Sequence, residues 1–253
     1  MKSTNKILAL LLALVLSLGA FASCDIIGIS NQTDTYTANI TIKFLSNDAK
    51  MASAVEAMSS TATLKVNGED LQLKTSASTG NASVLNNYVY IDGVMYHHTG
   101  VTVGEKSAET YKMAPVSQVE LDELLSKAGA GADIGIGDFE AQEITETNGN
   151  YTYTCTEMNS EAKTSLCDII GGGLKGIGAT VTIQDADYIL ETENGRNKSY
   201  TLTCHLLINM GGTDYEVTMR TKCDYDYSEK VNIFAPVEDI DKYKEVSYEE
   251  VLG

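Results

Sequence analysis

The stretch that most limits what this chain can become is residues 179–227. It holds three long segments, 179–193, 199–210 and 215–227, joined only by Asn194-Gly195 and Gly211-Gly212. Within the middle segment Tyr200, Leu202, Cys204, Leu206 and Ile208 alternate with Thr201, Thr203, His205 and Asn209. Side chains on a strand point alternately to its two faces, so this period of two predicts long strands with one covered face and one wet face. The Asn-Gly and Gly-Gly joints fit two-residue hairpin turns, which makes the strands antiparallel neighbours.

Shorter strands precede them. Residues 35–44 are rich in Thr, Ile and Tyr. Residues 61–66 and 70–76 flank Asn67-Gly68, 88–91 and 94–98 flank Asp92-Gly93, and 139–147 and 151–156 flank Asn148-Gly149-Asn150. Three segments change period. Met51, Ala54, Val55 and Met58 follow helical spacing behind Ser46. Ser117 and Glu120 form a capping box, with Val116 and Leu121 as its staple and Leu124, Leu125 and Ala128 continuing the face. A third helix starts near Asn159 and carries Ala162, Leu166, Ile169, Ile170 and Gly173, with the run Gly171–Gly178 ending it. The expected fold class is α+β: a curved antiparallel sheet, an open half-barrel, with three amphipathic helices covering its concave face.

The N-terminus is an address. Lys2 and Lys6 flank an apolar run over residues 7–18, too short for a bilayer of about 30 Å, followed by Phe21-Ala22-Ser23-Cys24. The last residues resemble the lipobox of bacterial lipoproteins, with Phe21 where Leu is usual. The resemblance implies cleavage before Cys24 and a diacylglyceryl group on that cysteine; a conventional signal peptide cut near Ala22, or an uncleaved anchor, is the alternative. The domain reading is therefore a signal peptide over 1–23, a lipidated Cys24 and tether over 24–34, and one domain over 35–253. Localisation follows as the extracytoplasmic face of a cell membrane.

Residues 1–23 contain two lysines and no acid, so the remainder sets 16 Lys and Arg against 35 Asp and Glu, a formal net charge of −19. That excess argues against nucleic acid or an anionic lipid surface as an electrostatic partner. Four cysteines remain, Cys155, Cys167, Cys204 and Cys223, and export permits disulfides among them. Four cysteines allow three complete pairings, and spacing does not choose between those and buried free thiols.

The lipobox, the initial strand and helix, and hairpins such as Tyr88-Val-Tyr-Ile-Asp-Gly-Val-Met-Tyr96 resemble the lipoprotein-carrier superfamily, which includes LolA-like and LppX/LprG-like lipoproteins. The resemblance rests on element order and hairpin style. It implies a half-barrel holding acyl chains, and it transfers no individual site residue.

No catalytic, metal or cofactor motif stands out. His97 and His98 are adjacent on a strand and so face opposite ways, while His205 lies on the polar face of another. Lys175 precedes Gly176 rather than Ser or Thr, against a P-loop, and no G-x-S-x-G or S-x-x-K occurs. Met51, Met58, Met95, Met113, Met219 and the fourteen tyrosines suit either an adaptable apolar cavity or ordinary core. The expectation is non-catalytic binding of a lipid or other hydrophobic molecule; the alternative is a tethered interaction or scaffold module with a filled core.

Overall fold

A computed structural model describes residues 35–48, 52, 55, 59–117, 119–121, 134–174, 178–228 and 230–252. Its dominant element is one open sheet of twelve strands: β1 (Thr35–Leu45), β2 (Ser60–Asn67), β3 (Asp70–Thr79), β4 (Ala82–Ile91), β5 (Val94–Val103), β6 (Lys106–Pro115), β7 (Phe139–Thr147), β8 (Asn150–Met158), β9 (Ala179–Glu193), β10 (Arg196–Met210), β11 (Thr213–Asp226) and β12 (Lys244–Glu245). Their spatial order is β12-β6-β5-β4-β3-β2-β1-β11-β10-β9-β8-β7. Two antiparallel meanders, β2 to β6 and β7 to β11, are joined where β1 pairs with β11. Only the two-residue β12 runs parallel to its neighbour, β6.

This corrects the expected α+β half-barrel. Among the described residues the helices are few and short, and they do not form a three-helix cover. Helix α1 (Ser160–Leu174) packs on β9, and α2 (Tyr248–Leu252) is a single turn against β5 and β6. The Ser117–Glu120 capping box forms, with the Glu120 carboxylate accepting from the Ser117 main chain at 2.7 Å and Glu120 N–H donating to the Ser117 hydroxyl at 3.3 Å. Leu124, Leu125 and Ala128, like Met51, Ala54 and Met58, lie outside the described residues. Gly171, Gly172 and Gly173 belong to α1, which ends at Leu174, one residue beyond the Gly173 placed on its face.

Strand content exceeds the expectation for a physical reason. The second half of β5 and most of β6 are exposed or half-exposed on both faces, so they carry no apolar alternation. Their pairing is set by the turn after Val103, where Gly104 has φ +63°, a conformation glycine adopts without cost. The Asn67-Gly68 turn also shifts by one residue: Asn67 pairs with Asp70, leaving Gly68-Glu69 as the loop.

The strands converge on one buried face. Ala38, Ile40, Ile42 and Phe44 of β1 meet Leu64, Cys223, Met219 and their neighbours at 0–1% exposure, and Leu166, Ile170 and Leu174 of α1 close over the β9–β10 region. After β11 the chain crosses to the opposite face, where Val231 and Ile233 cover Val89, Ile91 and Tyr96. It continues through a 3-10 turn, η1 (Val237–Lys242), pairs along β6, and returns to the core face, where Val251 is fully buried. The C-terminal segment thus clasps the β6 edge from both sides.

Two substitutions test this packing by urea unfolding. Ile40→Ala removes a fully buried side chain beside the β1–β11 ladder and is expected to cost about 2–5 kcal/mol, whereas Lys43→Ala on the wet face changes stability by less than about 0.5 kcal/mol. Thr221 sits in the same ladder at 0% exposure, and its hydroxyl has no hydrogen-bond partner among the described residues. Thr221→Val is therefore expected to stabilise by about 1 kcal/mol, because it removes a buried polar group at nearly constant shape.

Candidate functional site

Inward positions at one end of the sheet are occupied by aromatic rings on five strands or their flanks. Phe139 lies 5.8 Å from Tyr188, Tyr188 5.6 Å from Tyr200, Tyr200 6.5 Å from Tyr225, Tyr225 5.7 Å from Tyr36, and Tyr36 5.7 Å from Tyr227, centroid to centroid. The register creates the strip. Tyr200 is opposite Leu190 on β9 and Cys223 on β11, so its ring reaches Tyr188 and Tyr225 diagonally, within the span open to large side chains. Phe139, Tyr188, Tyr200 and Tyr36 are buried, while Tyr225 and Tyr227 are half-buried, so the strip opens toward the Tyr227 end. There the exposed Arg196 holds its guanidinium carbon 5.0 Å from the Tyr227 ring centroid. Tyr225 and Tyr227 are the part of the strip that solvent or an apolar molecule can reach, the other four rings being packed in the core.

A second cluster lies on the same face at the β3–β5 side. His97, Asn86 and Thr75 are buried polar groups within an otherwise apolar surface. The Val251 carbonyl accepts from His97 Nδ1 at 2.8 Å, which fixes the proton on that nitrogen and leaves Nε2 to accept from the Thr99 hydroxyl at 2.9 Å. Asn86 Nδ2 donates to Thr75 Oγ1 at 3.3 Å, and Tyr88 stacks on the imidazole at 3.9 Å. Burial drives the His97 pKa down to about 4; Lys112 and His98 push the same way, and the Val251 hydrogen bond opposes them. Burial also raises the Tyr88 phenol to about 12. A neutral, fully engaged histidine here locks the C-terminal turn.

The remaining candidates are dispersed. His98 faces the other side and stacks on Tyr111 at 4.4 Å, and His205 is exposed on the wet face. His205 borders a depression of about 350 Å³ with Leu45, Gln184, Glu216 and Thr218, where a register shift after Asp185 leaves Gln184 unpaired. Cys155, Cys204 and Cys223 are buried on the core face and Cys167 is half-exposed on α1; none of the four is joined in a disulfide. Burial raises the Cys155, Cys167 and Cys204 thiols, the last to about 12. Met95 and Met219 are core residues and Met113 is half-buried, while Met51, Met58 and Cys24 lie outside the described residues. Among the described residues no group of three or more His, Cys, Asp or Glu is placed to hold a metal ion, and no helix is long and apolar enough to cross a membrane.

Sequence reasoning noticed the abundance of tyrosine and missed the strip. The usable signal was that Tyr36, Tyr188, Tyr200 and Tyr225 each occupy an inward-facing position of a long strand, so adjacent registers could bring them together. The polar cluster was signalled by Asn86, whose parity matches inward Val84 and Tyr90.

No family model matches the chain, and no curated protein does. Among solved structures it is similar to a protein assigned as AttH from Nitrosomonas europaea, at 12% identity and a TM-score of 0.19; the match covers 79% of this chain and 53% of that one. It is also similar to the dehydratase domain of the polyketide protein PpsC from Mycobacterium tuberculosis, at 11% identity and a TM-score of 0.16, covering 83% and 84%. The chain therefore spans about half the length of the first of these proteins. Likenesses at these scores carry no argument about fold or activity.

The His97 cluster gives a pH dependence whose sign is fixed. Above the ordinary histidine pKa of about 6.5 both folded and unfolded states hold a neutral ring; between about 6.5 and about 4 only the unfolded state takes the proton. Stability is thus full above pH 6.5 and falls by up to about 3 kcal/mol as pH drops to 4. Urea unfolding of the parent and of His97→Gln across this window checks it: the variant is expected to lose most of this slope.

Proposed function

We propose that the chain is a membrane-tethered extracytoplasmic protein that binds a lipid or other hydrophobic molecule without transforming it. The observation that carries this reading is the aromatic strip, six rings long and open at the half-buried Tyr225 and Tyr227. Tyrosine supplies large apolar area from a rigid ring, and acyl chains need little more, since each buried CH₂ is worth about 0.8 kcal/mol. The leader and Cys24 support the tether. A lipid-modified cysteine would place the domain within the reach of residues 25–34, at most about 35 Å from the bilayer. The surplus of acidic side chains supports attachment through the lipid rather than through surface charge.

A second reading is favoured by a different observation. Phe234 and Val237 are 75% and 71% exposed, and Ile240 follows at the three-residue spacing that aligns side chains along a 3-10 turn. This ridge suits a module that acts by contacting another protein and holds no ligand.

Native mass spectrometry with solvent extraction, on the full chain purified from bacterial membranes in detergent, separates the two. The binding reading expects a stoichiometric, extractable hydrophobic molecule, distinct from the covalent anchor, whose occupancy falls about tenfold in the Tyr225→Ala/Tyr227→Ala variant. A clean apo mass that also refuses added lipid favours the interaction module. In parallel, Cys24→Ala is expected to move the protein from the detergent phase to the aqueous phase of a detergent phase separation; unchanged partitioning would remove the lipid tether.

A further inference from the structure

We propose that the wet face of the sheet carries a second site, independent of the aromatic strip, that binds a small phosphorylated polyol. Lys43 and Arg220 take its phosphate, and the depression beside His205 takes its hydroxylated body. Lys43 alternates along β1 with buried Ile42 and Phe44, and Arg220 along β11 with buried Met219 and Thr221, so both point away from the core. The register sets them directly opposite one another in the β1–β11 ladder, where facing side chains start about 5 Å apart. Like charges so placed repel and weaken the pairing. Neither has an ion-pair partner among the described residues, although acidic side chains outnumber basic ones 35 to 18 in the chain. The next cation along β11, Lys222, is by contrast held by Asp224 at 2.8 Å. An unrelieved cationic pair costs stability at the seam that joins the two meanders, and a bound anion converts that repulsion into attraction.

The depression begins one rung away. Thr218 is two residues, about 7 Å, from Arg220 along β11 and lies opposite both Leu45 on β1 and His205 on β10. With Asn47, Gln184 and Glu216 these residues bound about 350 Å³, within the range of small-molecule sites. The register shift on β9 between the rungs of Asp185 and Ile183 sets Gln184 outside the ladder, and bulges of this kind re-aim a side chain. The Ser46 hydroxyl donates to the Glu216 carbonyl at 2.8 Å and accepts from the Asp48 N–H at 3.2 Å, which ties the chain after β1 to β11 at the rim. Thr218 Oγ1 is 3.4 Å from His205 Nδ1, and the His205 Nε2 has no partner among the described residues.

The distribution of charge selects the ligand. At one end a guanidinium and an ammonium match the oxygens of a phosphate, which arginine meets with two parallel hydrogen bonds. At the other end Glu216, two residues beyond Thr218, repels a second anion and accepts from hydroxyls, as do the side-chain carbonyls of Gln184 and Asn47. A ligand with one anionic end and a hydroxylated body satisfies both. A membrane or a nucleic acid does not: the wet face around the pair carries Asp185, Asp187, Glu191 and Asp224, and an extended anionic surface meets these carboxylates together with the cations.

Isothermal titration calorimetry on the full chain in non-ionic detergent, at constant ionic strength, tests this with glycerol 3-phosphate, inorganic phosphate and glycerol as probes. Glycerol 3-phosphate is expected to bind most tightly, inorganic phosphate more weakly and glycerol not at all. Lys43→Ala and Arg220→Ala are each expected to weaken glycerol 3-phosphate binding about tenfold, the scale of one charge-assisted hydrogen bond. Their urea midpoints are expected at or slightly above the parent's, because the repulsion is gone. Glu216→Gln is expected to erase the preference between the two phosphates. Phosphatidylglycerol added to the micelles is expected to leave the titration unchanged. No binding by the parent, equal affinity of the parent for the two phosphates, an alanine variant that binds as the parent does, or displacement by phosphatidylglycerol, which would identify a lipid headgroup as the occupant, would each overturn the proposal.

Discussion

Everything in this molecule depends on the ladder between β1 and β11. Each meander is assembled from hairpins whose strands are neighbours in sequence, but Thr37 and Asp226 meet from opposite ends of the chain. Closing so long a loop costs entropy before any contact repays it. The repayment is apolar: Ile40 faces Cys223 and Phe44 faces Met219, all at 0–1% exposure, so this seam is as dry as the hairpin ladder between β10 and β11. Without it the chain would be a seven-stranded and a five-stranded sheet, each with a newly exposed edge able to recruit another chain.

The seam also separates two kinds of interior. On the β7–β11 side the covered face carries rings and thiols beneath α1, held mainly by apolar packing that sets no single geometry. On the β2–β6 side it carries a hydrogen-bonded knot of Thr75, Asn86, Thr99 and His97, which admits one geometry and is fastened by the carbonyl of Val251. A satisfied polar knot in an apolar surface specifies position at the expense of adaptability. One half is therefore built to yield and the other to hold.

The sequence disclosed these halves unequally. Long strands with a clean period of two, such as β10, were legible because one face is covered and the other wet. Strand β6 was opaque: Ser107, Ala108, Glu109 and Thr110 are exposed whichever way they point, so no alternation marks them, and the glycine turn at Gly104 fixes their place. The three-helix cover was over-read because an i, i+3, i+4 pattern of Met, Ala and Leu records burial without recording length; among the described residues α1 is the one long helix, at fifteen residues. Capping chemistry was readable at Ser117 and again at Asn159, whose side-chain oxygen accepts from the Ala162 N–H at 2.9 Å. The aromatic strip needed cross-strand register, a property of pairs of strands that no single segment contains.

The clasp formed by the C-terminal segment has a consequence for how such a chain matures. A polypeptide delivered N-terminus first can zip β2 to β6 and later β7 to β10 as each hairpin appears, but Val251 is among the last residues to arrive. Until residues 231–251 are in place, Val89 lacks its cover, the β6 edge lies open and His97 lacks its acceptor. The segment after β11 thus finishes a sheet that is already paired strand by strand, and a chain interrupted before Val251 would carry nearly the whole sheet yet leave one margin unfinished.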